Sequence, residues 1–188
     1  MFLVLVPIAN GTEEIEAVCV IDTLRRAGFE VTVASVHDTT SVVCSRQVQI
    51  VADCLLSECR DRVYDLIVLP GGAKGAENLA ASELLAKLLK RQAVENRWFG
   101  AICASPAIVL YSLGLLPARA TCHPSVEDKI DNVAKEHIKE RVVVDADKKC
   151  VTSRGPGTAI EFALQLIECL AGTKLRQEVE YPMITASI

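Results

Sequence analysis

The sequence has little histidine and no excess of positive charge. Its 188 residues contain three histidines and no Cys-x-x-Cys pair, so the ligand spacings of a zinc site are absent. The formal net charge is -4, and lysine and arginine are scattered among acidic residues, which excludes the basic stripe of a nucleic-acid-binding surface. We therefore expect neither a metal ion nor a nucleic-acid partner.

A long apolar run is also missing from the start of the sequence. The first apolar stretch ends at Val6, no basic residue precedes it, and Pro7 follows, which predicts neither a secretory signal nor a membrane span. We expect a soluble, cytoplasmic chain whose eight cysteines are free thiols in a reducing compartment. Internal repeats and Pro/Gly/Ser-rich linkers are lacking too, which predicts one domain over residues 1–188, with a covering segment from about residue 173.

Short apolar runs of strand length alternate with longer helical patterns. Predicted strands are FLVLVP, EVTVAS, DLIVLP and WFGAIC, and predicted helices are TEEIEAVCVIDTLRRAG, SELLAKLLKRQAVEN, PAIVLYSLG and TAIEFALQLIECLAG. The runs SVVCS and QVQIV suggest a small hairpin, and RVVVDADKKCVTS suggests two strands joined by a turn. This order predicts a three-layer α/β fold with a mostly parallel sheet.

Ligands of such sheets bind at the carboxyl ends of the strands, which here are followed by ANGTEE, LPGG, ICASP and CHPS. Cys103 ends a strand, Ser105 is a candidate N-cap and Pro106 a good first helical residue, so the chain must turn sharply at the thiol, as in a nucleophile elbow. A helix N-terminus next to the sulfur predicts a lowered thiol pKa. The alternative, an inert buried cysteine, is disfavoured by this position.

Other residues at the same edge are open to two interpretations. The N–H groups of Gly71 and Gly72 are candidates for an oxyanion site, or these glycines only form a turn. His123 is either a reactive imidazole or a structural hydrogen-bonding group. Three glutamates lie in the first turn of one predicted helix: Glu13, Glu14 and Glu16. Acidic residues stabilise a helix N-terminus without any further function. Alternatively, one of the three points at the thiol, and its pKa is then raised by the apolar surroundings.

The glycines of SRGPGTAIE do not form a phosphate loop. The segment lacks the Gly-Lys-Ser/Thr end of that loop and the third glycine of a dinucleotide fingerprint. We expect no nucleotide cofactor.

Several motifs together resemble the ThiJ/PfpI superfamily, collinearly from Phe2 to about Gly172: GTEEIEA, RRAGFEVTVAS, YDLIVLPGG, AICASPA and TSRGPGTAIEFAL. The resemblance implies a flavodoxin-like fold, shared with class I glutamine amidotransferases, and a homodimer without a cofactor. It also assigns residues to roles: Cys103 as nucleophile, Glu16 as its protonated partner, His123 as the nearby imidazole, Gly71, Gly72 and Ala104 as backbone donors, and Asp22, Arg26 and Arg46 as pocket or interface residues.

The resemblance implies two alternative functions. One is a glutathione-independent glyoxalase or protein deglycase that acts on methylglyoxal, glyoxal or their early glycation adducts through Cys103. The other is an oxidative-stress sensor and redox-regulated chaperone in which Cys103 is oxidised to a sulfinate. The protease branch carries a histidine directly after the cysteine, whereas Ala104 follows here, and Pro124 and Ser125 after His123 do not match the amidotransferases.

Overall fold

The computed structural model describes residues 1–134, 136–137 and 139–185, with only the backbone of residues 136 and 137. The strands are β1 (Leu3–Ile8), β2 (Glu30–Ser35), β3 (Ser41–Val43), β4 (Gln49–Val51), β5 (Cys54–Leu55), β6 (Leu66–Leu69), β7 (Trp98–Ile102), β8 (Arg119–Ala120), β9 (Glu136–His137), β10 (Val142–Asp145) and β11 (Cys150–Ser153). The helices are α1 (Glu14–Arg26), α2 (Ala73–Ala80), α3 (Glu83–Val94), α4 (Ala159–Ala171) and α5 (Thr173–Glu180).

Seven strands form the central sheet in the order β10-β11-β7-β6-β1-β2-β5. Its neighbouring strands run parallel, except for the antiparallel pair β10 and β11. The strands β3 and β4 form a separate antiparallel hairpin, as expected from the sequence. The predicted α/β fold with a mostly parallel sheet is thus confirmed.

Helices cover both faces of the sheet and bury two apolar clusters. On one face α1 contributes Val20 and Leu24, α4 contributes Phe162 and α5 contributes Val179. On the other face α2 contributes Leu79 and α3 contributes Leu85. Burial of such side chains is the main stabilising contribution to the fold. Within the described ranges, no helix has the length and apolar character required to cross a membrane.

Two helices were not expected from the sequence. The helix α2 follows the double glycine directly, and its Gly75 lies so close to the first loop that an added Cβ would stand 2.6 Å from Cα of Thr12. Close packing therefore explains a glycine inside this helix. The helix α5 is polar on most of its surface and lies in the predicted covering segment, of which residues 186–188 are outside the described residues.

The helical segment after Cys103 differs from the expected regular helix. It runs from Pro106 to Leu110 with wide turns, in which the N–H of Tyr111 donates to the carbonyl of Pro106 at 3.0 Å. Ser105 is not the expected N-cap, because its backbone is already helical and its Oγ donates to the carbonyl oxygen of Pro70 at 2.6 Å. That buried carbonyl ends the neighbouring strand segment, so the serine ties two strand ends together instead.

Candidate active site

Cys103 lies at the carboxyl end of β7 in a strained backbone conformation. Its φ is 64°, a left-handed value that residues other than glycine adopt rarely. Its N–H donates to the carbonyl of Ser153 at 3.0 Å, and its own carbonyl accepts the N–H of His123 at 2.8 Å. Hydrogen bonds on both sides thus hold the turn that presents the sulfur at the edge of the sheet.

The structure decides which glutamate faces the thiol. Glu13 caps α1 by accepting the N–H of Glu16 at 2.8 Å, and Glu14 accepts bonds from Ser45 Oγ and the N–H of Arg46, both at 2.7 Å. Glu16, at 0% exposure, is the one whose carboxyl lies against Cys103. The cap at Glu13 sets where the helix begins, and so sets the direction of the Glu16 side chain.

Gly71 fits between the carboxyl and the thiol. Its N–H donates to Oε2 of Glu16 at 2.7 Å. A Cβ at this position would stand 2.5 Å from Cβ of Cys103 and 2.7 Å from the same Oε2. Only a glycine leaves room for the carboxyl and the cysteine to approach each other here.

The sulfur of Cys103 also faces backbone donors. The N–H groups of Gly72 and Ala104 lie near the sulfur and act to lower the pKa of the thiol. Gly72 directly precedes α2, so the N-terminus of this helix, which was not expected from the sequence, points at the thiol. In contrast, Oε1 of Glu16 is buried and has no geometrically acceptable hydrogen-bond partner among the described residues.

The direction of the thiol pKa is opposite to the one expected from the sequence. Burial, followed by the charge of Glu16, raises the pKa of the Cys103 thiol to about 12, and this outweighs the N–H groups of Gly72 and Ala104, which lower it. Burial also raises the pKa of Glu16, to about 7. Because burial disfavours the charged form of both groups, the thiol keeps its proton near neutral pH while Glu16 exchanges its proton there.

His123 is connected to the site mainly through its backbone. Its half-buried ring accepts the N–H of Ser125 at Nδ1 (3.2 Å) and lies 2.8 Å from the Ser125 hydroxyl. An Nδ1 that accepts a backbone N–H leaves the ring proton of the neutral imidazole on Nε2. The ring thus has a fixed orientation beside the turn at Cys103.

The sequence that forms this site matches a known family. The sequence profile of the DJ-1/PfpI family, the ThiJ/PfpI superfamily named above, matches residues 3–169. The chain belongs to the DJ-1/PfpI family.

Relatives in the DJ-1/PfpI family are similar over most of this chain. Protein DJ-1 homolog B of Arabidopsis thaliana is 51% identical over 170 residues, which cover 90% of this chain but 38% of that protein. The chain thus spans less than half the length of this plant relative. Glutathione-independent glyoxalase DJR-1.2 of Caenorhabditis elegans is 35% identical over 98% of this chain and 96% of its own. The structure of oxidized Toxoplasma gondii DJ-1 is 44% identical and superposes with a TM-score of 0.94 over 100% of both chains.

Three residues that the DJ-1/PfpI resemblance assigned to the pocket or interface have their side-chain hydrogen bonds to groups other than the sulfur of Cys103. Asp22 and Arg26 form an ion pair of 2.6 Å along α1, and both are about half exposed. Arg46 donates from its guanidinium to the carbonyl of Ser45 at 3.3 Å. The structure therefore brings Glu16, Gly71, Gly72 and Ala104 to Cys103, but leaves these three side chains outside that cluster.

Arg154 is a residue of this DJ-1/PfpI chain that was not predicted as part of the site. Its guanidinium donates to Glu127 at 2.7 Å and to Thr121 Oγ1 at 3.2 Å, and both charged side chains are less than one fifth exposed. With His123 it lines a cleft of about 360 Å³. Its position directly after β11, in the TSRGPG motif, is a signal that would have pointed to this edge of the sheet, but the segment was not among the strand ends considered.

Proposed function

We propose that this protein is a glutathione-independent glyoxalase that converts methylglyoxal to lactate at Cys103. The observation that carries the proposal is the pairing of a sulfur with a buried carboxyl whose pKa is about 7. A general acid and base works best with a pKa near the operating pH. The name and full-length similarity of the nematode relative support the same activity.

The first step is addition of the sulfur to the aldehyde. Glu16 takes the thiol proton while the sulfur bonds the aldehyde carbon and the carbonyl electron pair moves to oxygen. Because Oε2 already accepts the N–H of Gly71, we assign the proton to Oε1, which has no geometrically acceptable partner within the described part of the chain. We assign the N–H groups of Gly72 and Ala104 as the donors for the oxyanion, because both lie near the sulfur. Return of the proton to that oxygen gives a hemithioacetal.

The second step moves hydrogen between the two carbons of the substrate. The Glu16 carboxylate removes the hydrogen from the former aldehyde carbon, and the ketone oxygen is protonated to form an enediol. Protonation of the second carbon, with loss of the hydroxyl proton from the carbon that bears the sulfur, then gives a thioester, and water cleaves it to lactate and the free thiol. The net reaction adds one water to methylglyoxal without an oxidant or reductant. We assign the Nε2–H of His123 as the donor to the ketone oxygen, because Nδ1 already accepts the N–H of Ser125.

The test is lactate formation from methylglyoxal without added thiol. Wild type should turn over many times per Cys103, whereas Cys103→Ser should lose the activity. Cys169→Ser, a matched change at another half-buried thiol, should retain it. Lactate production by Cys103→Ser at the wild-type rate would contradict the mechanism. Repair of glycated amines should depend on Cys103 in the same way, measured with pre-formed adducts after free methylglyoxal has been removed.

A second function, oxidation sensing at Cys103, is favoured by the backbone donors around the sulfur and by the oxidized relative from Toxoplasma gondii. A sulfinate would accept bonds from the N–H groups of Gly72 and Ala104 and from protonated Glu16. After mild peroxide, the intact mass should increase by two oxygens in wild type and not in Cys103→Ala. A sensor reacts once per oxidation, so multiple turnovers in the lactate assay distinguish the enzyme.

We also propose a homodimer that buries the exposed side of α1. Ile15 and Val18 are 53% and 51% exposed there, beside the ion pair of Asp22 and Arg26. Apolar side chains exposed together on one helix are typical of an interface. Light scattering should give twice the mass of one chain for wild type, and Val18→Glu should shift it toward one.

A further inference from the structure

Two cysteines meet at the edge of the sheet, away from the cluster around Cys103. Cys54 belongs to the edge strand β5, which pairs with β2 through Ala34 and Ser35. Cys59 ends the single helical turn Leu56–Cys59 that follows. Their Sγ atoms are 3.6 Å apart, which is direct contact between two thiols.

The local backbone holds this contact in place. The N–H of Leu55 donates to Oε1 of Glu58 at 2.8 Å, which closes the turn between the two cysteines. Cys59 is 2% exposed, and its Sγ also approaches the carbonyl of Leu55 at 3.9 Å. Cys54 is half-buried and is therefore the sulfur that a reagent in solution reaches first.

We infer that Cys54 and Cys59 are a second redox site, which closes to an intramolecular disulfide when it meets a small disulfide such as oxidised glutathione. The inference does not depend on the proposed glyoxalase activity. A disulfide requires an S–S distance of about 2.05 Å, so the sulfurs need to approach by roughly 1.5 Å. A movement of that size is within reach of side-chain rotation and a small adjustment of a single helical turn.

The chemistry is thiol–disulfide exchange in two steps. The Cys54 thiolate attacks one sulfur of oxidised glutathione, and one glutathione thiolate leaves. The Cys59 thiolate then attacks Cys54 Sγ in the mixed disulfide and releases the second glutathione. The two protein thiols give up two electrons and two protons, which the small disulfide takes up as two thiols.

The environment makes the first step slow. Burial and the hydrogen bond to Cys59 raise the pKa of the Cys54 thiol to about 12, and the charges of Glu58 and Asp53 act in the same direction. Since the thiolate is the attacking form, the pair responds to the equilibrium redox state of its surroundings rather than to a brief pulse. Its test is therefore carried out at equilibrium.

The experiment places the full chain in a series of glutathione redox buffers. After equilibration, free thiols are blocked with N-ethylmaleimide in denaturant and the protein is digested with trypsin. Cleavage after Arg46 and Arg60 leaves both cysteines, and no other, in one peptide of residues 47–60. We expect an unblocked peptide, lighter by two hydrogens than the reduced form, to become the main species as the buffer becomes more oxidising.

Single variants separate this site from chance reactivity. Cys59→Ser should trap glutathione on Cys54 and give no internal disulfide, whereas Cys103→Ala should behave as wild type. A wild-type peptide that keeps both blocked thiols, or carries glutathione as often as Cys59→Ser does, would overturn the inference. Cys54→Ser, a change at a half-buried position, provides the reciprocal control if Cys59→Ser does not fold, and the wild-type peptide mass decides in either case.

Discussion

Replacing Gly71 with alanine should damage both the fold and the site. The added Cβ would stand 2.5 Å from Cβ of Cys103, 2.7 Å from Oε2 of Glu16 and 2.9 Å from the carbonyl oxygen of Ile102. These distances are well below the roughly 3.5 Å at which carbon contacts become favourable. Overpacking of this kind costs about 1–3 kcal/mol. At about 2–4 °C per kcal/mol for a chain of this size, Tm should fall by about 2–12 °C.

The loss of activity in Gly71→Ala should be larger than its loss of unfolding free energy alone would cause. The alanine methyl group has to push the carboxyl and the cysteine apart, and a displacement of about 1 Å costs on the order of 100-fold in rate. Lactate formation and thermal unfolding measure the two effects on one preparation. Gly157→Ala is the matched stability control, because its added Cβ has no atom within 4 Å among the described residues, its two chain neighbours aside. Unchanged Tm and rate in Gly71→Ala would refute the packing argument.

Three further substitutions test other contacts. Glu16 binds its proton more tightly in the folded state, so the free energy of unfolding of wild type should fall by roughly 3 kcal/mol as pH rises from 4.5 to about 7. Urea unfolding at several pH values should show this fall in wild type and not in Glu16→Gln. The same pH dependence of the unfolding free energy in both proteins would contradict the buried-carboxyl argument. Glu14→Ala removes the bonds to Ser45 and Arg46, which should lower the free energy of unfolding by about 1.5–3 kcal/mol and speed tryptic cleavage after Arg46. Gln92→Leu leaves two backbone carbonyls without their donor, at 2.9 and 3.0 Å in wild type, and should lower Tm while lactate formation per folded molecule stays unchanged; equal Tm values would argue against it.

The sheet and the position of Cys103 could be predicted because their signals are local. Apolar runs define the strands, and a cysteine followed by Ser105 and Pro106 at a strand end requires a sharp turn. The role of the Ser105 hydroxyl was nevertheless predicted wrongly: it was expected to cap the following helix, but it donates to a carbonyl oxygen. The carbonyl of Pro70, 35 positions away along the chain, competes for it, and no local pattern shows that distance in space.

The details of the site depend on packing across the sheet. Which glutamate meets the sulfur follows from the cap at Glu13. The residue pattern alone left that choice open, and only the family resemblance assigned Glu16. The thiol pKa was predicted in the wrong direction because the helix N-terminus was considered without burial and without the charge of Glu16. The helix α2 was missed because Gly75 weakens its pattern, although that glycine is what lets the helix approach Thr12.

The hydrogen bonds that hold Cys103 have a practical consequence for any preparation of this protein. Both bonds that fix its strained backbone come from main-chain groups, those of Ser153 and His123, and neither involves the sulfur. Chemical damage to the sulfur therefore leaves the scaffold that supports it in place. A sample that is fully folded by circular dichroism or thermal unfolding is not, for that reason, fully competent. The concentration of competent molecules has to be obtained by titrating the Cys103 thiol itself.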